Sequence, residues 1–69
     1  MKKLSELLPG QSSIIVEVLQ CKMRTSIMEK GLVPGTIIQR LEHHKIYKYR
    51  NAVMAFGIST LDDFILVKI

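Results

Sequence analysis

Two proline–glycine pairs constrain this chain most, because each places a turn directly in front of a run of β-forming residues. Pro9-Gly10 and Pro34-Gly35 suit the two central positions of a type II turn. Proline sets the φ angle of the first position, and glycine accepts the positive φ of the second. The pairs therefore predict that strands begin near Ser12 and Thr36.

Alternating apolar residues predict four strands, over residues 12–19, 36–42, 51–58 and 64–69. In the first strand, Ile14, Val16 and Val18 are predicted to share one face. Gly57 is predicted to mark a bend or bulge in the third. The basic and aromatic residues 43–50 are interpreted as a long, exposed connection, although their alternation also suits an amphipathic strand.

Residues 21–30 contain no proline or glycine and predict a short helix. Its end is the clearer boundary: Lys30 lies in the last turn and Gly31 can take the left-handed conformation that follows. Leu32 can then fold back onto the apolar side of the helix. We therefore expect a helix that ends at the glycine.

A chain of 69 residues has room for one domain, over residues 1–69, and one small core. Its only cysteine, Cys21, cannot form an internal disulfide, so the cytoplasm is the expected compartment. No apolar run approaches the roughly 20 residues of a membrane-spanning helix. Short strands and frequent turns predict a mainly β fold with one short helix, as a small, five-stranded, antiparallel SH3-like barrel.

Catalysis is not expected, because the sequence has neither a nucleophile turn nor a glycine-rich phosphate loop. Asp62 and Asp63 are adjacent and are interpreted as solvated. His43, His44 and Cys21 could each ligate a metal, but paired ligand spacings are missing. We therefore expect no metal site and no cofactor.

A basic and aromatic cluster raises nucleic-acid binding as an alternative function. Cations beside aromatic rings offer phosphate contacts and stacking surfaces. The same alternation describes a strand whose tyrosines pack inward while its cations face water, and we favour that interpretation. The residues concerned are Arg40, Lys45, Tyr47, Lys48, Tyr49 and Arg50.

An apolar stripe along the helix is expected to lie mostly in the core. Ile27 and Met28 are about 100° apart around the helix axis, so they cannot be buried equally against one sheet. One of them, with Leu32 or Val33, is predicted to line an exposed groove. Methionine suits such adaptable contacts.

The segment from Arg24 to Thr36, which ends in Gly31-Leu32-Val33-Pro34-Gly35-Thr36, resembles the signature of the FeoA family. This family comprises small accessory proteins of bacterial ferrous iron transport. The opening residues 4–10 and the closing strand are also similar to the family's, so the resemblance covers almost the whole chain. The sequence departs from the family pattern at Ser26, at Lys30 and over residues 43–50.

The resemblance implies an SH3-like barrel with a regulatory binding role in the cytoplasm. The implied partner is the FeoB membrane transporter, through its GTPase region. The expected contact surface is the helix and its exit turn, and weak self-association is a further expectation for so small a sheet. The expected contact residues are Arg24, which would orient the contact, and the apolar anchors Ile27, Met28, Leu32 and Val33.

Overall fold

The structure, a computed structural model, describes residues 1–42, 45–56 and 61–68, with Glu42 described by its backbone alone. Its helical elements are one α-helix and two 3-10 turns. The elements, in chain order, are β1 (Lys2–Lys3), η1 (Leu4–Glu6), β2 (Ser12–Val18), α1 (Arg24–Glu29), β3 (Ile37–Glu42), β4 (Ile46–Tyr49), β5 (Ala52–Ala55), η2 (Leu61–Phe64) and β6 (Ile65–Val67).

The strands pair antiparallel in the order β1-β6-β2-β3-β4-β5. Strand β2 connects two halves of this sheet: residues 12–14 pair with β3, and Ile15 to Val18 pair with β6. The predicted mainly β class with one short helix is confirmed. The described sheet has six strands where five were expected, and it is open, with β1 and β5 at its two ends.

The prediction that Ile14, Val16 and Val18 share one face of β2 is wrong, because the strand contains a bulge. Ile14 and Val16 remain 42% and 38% exposed, whereas Val18 is 2% exposed and joins the core with Ile15. The register with β6 shifts between Ile15 and Glu17. Because the extra residue reverses the alternation, Val18 leaves the face that Ile14 and Val16 occupy.

The predicted connection over residues 43–50 is wrong for its second half, because Ile46–Tyr49 forms strand β4. Tyr47 and Tyr49 are buried while Lys48 is exposed, which confirms the amphipathic alternative. Arg50 adopts a φ of 54° at the turn into β5. The predicted bend at Gly57 lies outside the described residues.

The helix is shorter than predicted, since α1 begins at Arg24 and not at Cys21. Met23 is its first flanking residue and has no side-chain oxygen to cap the helix. The amide of Arg24 donates instead to the carbonyl of Cys21 at 3.1 Å, which makes the preceding residues a turn.

Both proline–glycine turns are confirmed. Gly10 and Gly35 have φ angles of 86° and 95°. The closing hydrogen bonds run from the Gln11 amide to the Leu8 carbonyl at 2.9 Å and from the Thr36 amide to the Val33 carbonyl at 3.1 Å. Positive φ at the third position of each turn is the mark of type II geometry.

The end of α1 is a Schellman turn. Gly31 has a φ of 94°, and its amide donates to the carbonyl of Met28 at 3.0 Å. The Leu32 amide donates to the carbonyl of Ile27 at 3.4 Å. These are the two bonds of the motif, and they direct Leu32 back against Ile27 in the core.

The core lies between the inner face of the sheet, α1 and the η1 segment. Apolar side chains from every one of these elements meet there, which is how so short a chain assembles a single interior. Its buried members are Leu4, Leu7, Ile15, Val18, Ile27, Leu32, Ile38, Tyr47, Tyr49, Ile65 and Val67.

Replacing Gly31 with alanine is expected to lower the free energy of unfolding by about 1 kcal/mol, because an L side chain is strained at positive φ. A Cβ at this position would meet Tyr49 Cε2 at 3.6 Å, an ordinary contact, so the loss comes from the backbone. Denaturant titration measures the change. Gly31→Asn should lose less, since asparagine tolerates this conformation; equal stability of Gly31→Ala and the parent would contradict the prediction.

Candidate functional site

A hollow of about 160 Å³ lies between α1 and β5, and we refer to it as the helix–strand pocket. Ile27 and Leu32, at 3% and 1% exposure, form its floor. Met23 stands at its rim with 44% of its surface exposed. The residues lining the pocket are Met23, Ser26, Ile27, Lys30, Leu32, Met54, Ala55, Phe56 and Leu61.

The predicted apolar anchors do not form one open surface. Ile27 and Leu32 belong to the core, because the Schellman turn folds them together, and both line the helix–strand pocket. Met28 is half-buried against the core. Val33 lines a second hollow, formed by residues 33–37 and Arg50, so the structure does not bring it to the pocket.

Arg24 has a structural task at the start of α1. Its Nε donates a hydrogen bond to the carbonyl of Val18 at 3.0 Å, and the side chain is half-buried. This bond joins the first helical residue to the end of β2. The sequence predicted that Arg24 orients a partner. This role stays a prediction, and the guanidinium nitrogens other than Nε would perform it.

The opposite wall of the pocket was missing from the predicted site. It consists of Met54, Ala55 and Phe56, which lie more than twenty residues beyond the helix in the sequence. The alternation of β5 does place Met54 and Phe56 on one face. That this face meets the helix follows only from the sheet order, which the sequence pattern does not contain.

The exit turn is held from the sheet side by two side-chain hydroxyls. Tyr49 of β4 donates to the carbonyl of Lys30 at 3.0 Å. Thr36 donates to the carbonyl of Gly31 at 3.0 Å. Carbonyls at a helix end lack partners within the helix, so these bonds both satisfy them and fix the pocket's rim.

Asp62 is not solvated as predicted: its side chain has no exposure to water. The Tyr47 hydroxyl donates to Asp62 Oδ2 at 3.0 Å, and Lys45 Nζ lies 3.4 Å from Oδ1. Asp63 is half-buried and accepts a hydrogen bond from the Ser5 hydroxyl at 2.6 Å. A buried carboxylate needs such partners, and the 3-10 turn η2 places Asp62 where they can reach it.

Tyr47 connects several parts of this cluster. Its ring lies 5.8 Å from the guanidinium carbon of Arg40 and meets Phe56 edge-on at a centroid distance of 5.5 Å. Arg40 in turn donates to the carbonyls of Ser5 and Leu7, at 2.9 and 2.7 Å. Burial, followed by the hydrogen bond to the Asp62 carboxylate, raises the pKa of Tyr47 well above its usual value.

Metal binding finds no support in residues 1–42, 45–56 and 61–68, where no three His, Cys, Asp or Glu side chains lie together. Cys21 is half-buried and packs against the core. His43 and His44 lie outside the described residues, so the sequence-based expectation about them stays a prediction. Within the described chain, no helix is both long and apolar enough to cross a bilayer.

The aromatic half of the proposed nucleic-acid surface is wrong. Tyr47 and Tyr49, at 0% and 6% exposure, pack into the core and cannot stack on bases. Arg40 is half-buried over the Tyr47 ring. Of the predicted cluster, Lys48 and Arg50 remain as exposed cations.

The open six-stranded sheet with its short helix is a small SH3-like fold, and comparison with solved structures supports this class. A FeoA from Stenotrophomonas maltophilia complexed with zinc, described as a procaryotic SH3 domain protein, aligns with a TM-score of 0.86. The alignment covers 99% of this chain and 90% of that one. At 18% identity this likeness concerns the fold alone.

The chain belongs to the FeoA family. The family's domain model, described as FeoA domain, matches residues 2–59. A crystal structure of an iron uptake regulatory protein, FeoA, is 32% identical and aligns with a TM-score of 0.82 over 97% of this chain and 93% of that one. No curated protein matches the chain. The predicted family is thus confirmed.

Tyr47→Phe is expected to lower the free energy of unfolding by about 1–3 kcal/mol at neutral pH, because buried Asp62 loses a hydrogen-bond donor. Chemical denaturation of the two proteins measures the difference. Phenylalanine keeps the ring against Arg40 and Phe56, so packing changes little. Equal stability of the two proteins would show that Asp62 does not depend on this hydroxyl.

The same pair predicts an alkaline loss of stability. Unfolded tyrosine ionises near its ordinary pKa of 10.0, while the raised pKa of folded Tyr47 keeps its proton on. The unfolded state therefore releases a proton first, and the free energy of unfolding falls as pH rises above 10, by up to about 1.4 kcal/mol per pH unit. Denaturation between about pH 9 and 12 should show this slope in the parent and a shallower one in Tyr47→Phe; identical slopes would refute it.

Proposed function

We propose that this chain is a cytoplasmic accessory of ferrous iron transport that binds the FeoB membrane transporter, in a regulatory and not a catalytic role. Membership of the FeoA family supports the transport assignment. The solved relative from Stenotrophomonas maltophilia is described as a candidate ferrous iron transport activating factor, which agrees with a role in regulation.

The helix–strand pocket is the proposed contact site. One observation carries this choice: the pocket combines a fully buried apolar floor, made by Ile27 and Leu32, with an exposed apolar rim at Met23. A side chain that enters such a hollow exchanges water for apolar contacts on several sides. Anchors of this kind dominate the energetics of protein interfaces.

The size and charge of the pocket define the partner segment. A hollow of about 160 Å³ accommodates one aliphatic side chain of about leucine size. Burial of such a side chain contributes about 1.5–3 kcal/mol. Lys30 stands beside the apolar lining, so a carboxylate next to the inserted side chain would add a charge-assisted hydrogen bond. The favoured partner segment therefore carries an aliphatic residue followed or preceded by an acidic one.

Met23→Ala is expected to weaken binding to the cytoplasmic GTPase region of FeoB by about 1–2 kcal/mol, because it removes the exposed apolar rim. Calorimetric titration measures the affinity. Fold stability should change little, since Met23 is 44% exposed. Leu8→Ala is the matched control: Leu8 is 67% exposed and lies outside the pocket, so its loss should leave the affinity within about two-fold.

Ser26→Leu tests the same pocket by filling it. Ser26 lines the hollow from the helix, and leucine is a good helix former, so the variant should fold and yet bind FeoB weakly. Leu32→Ala is unsuitable as a binding test, because truncating this core residue should cost about 2–5 kcal/mol of stability. Parent-like affinity for both Met23→Ala and Ser26→Leu, in folded proteins, would show that the pocket is not the contact site.

A further inference from the structure

The outer face of strands β2 to β5 combines aliphatic and cationic side chains. One row crosses all four strands, since Ser12 pairs with Gln39, Gln39 with Lys48 and Lys48 with Val53. The neighbouring row includes the pair Ile14 and Ile37. We call this surface the outer face; it comprises Ser12, Ile14, Ile37, Gln39, Lys48, Arg50 and Val53.

The aliphatic side chains of the outer face are unusually open. Ile37 is 64% exposed, Val53 62% and Ile14 42%. Ile14 and Ile37 are cross-strand partners and form an exposed apolar pair, and Val53 lies two strands from Ile37, with Lys48 of β4 beside it. Apolar patches rimmed by polar groups mark sites of protein or membrane interaction.

A hollow of about 210 Å³ opens beside Ile37, one of these aliphatic residues. Its other lining residues are Ser12, Gln39, Lys48, Tyr49 and Arg50, so two of the six carry a positive charge. Neither cation forms an ion pair with any side chain in the described ranges. The hollow therefore offers hydrogen-bond donors and positive charge, while its surroundings offer apolar contact.

Of the six acidic residues, Glu17 and Glu42 lie on β2 and β3 themselves, at the ends away from the hollow, and the other four lie on other elements. Glu6 is in η1, Glu29 in α1, and Asp62 and Asp63 are in η2. Glu17 lies beyond the β2 bulge, where it pairs with Leu66 of β6. The backbone of Glu42 pairs with Ile46 at the far end of β3. The outer face is thus positive in a chain whose formal charge is already +4.

We propose that the outer face binds the surface of an anionic phospholipid bilayer. Lipid phosphates would occupy the hollow against Lys48 and Arg50, while Ile37 and Val53 enter the boundary between headgroups and acyl chains. An anionic bilayer matches both the aliphatic and the cationic side chains of the outer face, because apolar side chains and cations act together in interfacial binding.

Other occupants fit less well. A second copy of the chain would place Lys48 and Arg50 against identical charges. Nucleic acid would find one aromatic residue at the hollow, Tyr49, which is 6% exposed and cannot stack on a base. An acidic protein would need an apolar pocket for its anchor side chain, but Ser12, Gln39, Lys48 and Arg50 make up four of the six residues that line this hollow.

Co-sedimentation with vesicles tests the proposal. The protein should bind vesicles of phosphatidylcholine mixed with phosphatidylglycerol, bind vesicles of pure phosphatidylcholine far less, and lose the difference at high salt. Lys48→Gln should reduce binding about five-fold, as expected for one cation near an anionic membrane. Val53→Thr, which keeps the shape and β-propensity, should also reduce it; neither residue lines the helix–strand pocket.

Lys22→Gln is the matched control, because it removes one exposed positive charge from the turn before α1 and leaves the outer face intact. Equal losses from Lys22→Gln and Lys48→Gln would overturn the proposal in favour of net charge alone. Parent-like binding by Val53→Thr would also overturn the proposal. An absence of binding to the mixed vesicles at low salt would overturn it as well. Free glycerol phosphate should compete only weakly; binding of glycerol phosphate or an acidic polypeptide without any binding to vesicles would also overturn it.

Discussion

A carboxylate without contact to water is costly in any small protein, and Asp62 is buried in this one. Two residues supply the hydrogen bonds of the Asp62 carboxylate: Tyr47 of β4, and Lys45, which directly precedes that strand. The Tyr47 ring extends the connection, since Arg40 lies over it and donates hydrogen bonds to the carbonyls of Ser5 and Leu7. One charge thereby joins η2, β4, β3 and the amino-terminal segment. The cluster thus holds the amino-terminal segment and η2, which lie near opposite ends of the described chain, against the same pair of strands.

The helix–strand pocket depends on that arrangement. Its floor comes from the Schellman turn, which places Leu32 against Ile27, and its far wall comes from β5. Tyr49, two residues after Tyr47 on the same strand, holds the carbonyl of Lys30. Both tyrosines of β4 therefore point inward and have different tasks. Tyr47 donates a hydrogen bond to buried Asp62, and Tyr49 fixes the end of the helix beside the pocket.

Local rules of the chain predicted the turns and the helix end, because proline, glycine and a helix-ending Gly31 act over three or four residues. The inward packing of Tyr47 and Tyr49 was also visible in their alternation. Features set by contacts distant in sequence were not visible. The bulge in β2 arises from pairing with β6, and the burial of Asp62 requires Tyr47 from another strand. The second wall of the pocket was not predictable from local sequence either, because the order of strands in the sheet determines that β5 lies beside α1.

Strand β2 belongs to both halves of the sheet, with β3 beside its first residues and β6 beside its last. Separation of either half would remove hydrogen bonds and core side chains from the strand on which the other half is built. Ile15, at the junction, is 1% exposed and packs in the single core common to both. Neither half can persist as a partly melted intermediate, so the whole domain should lose its structure in one all-or-none thermal transition.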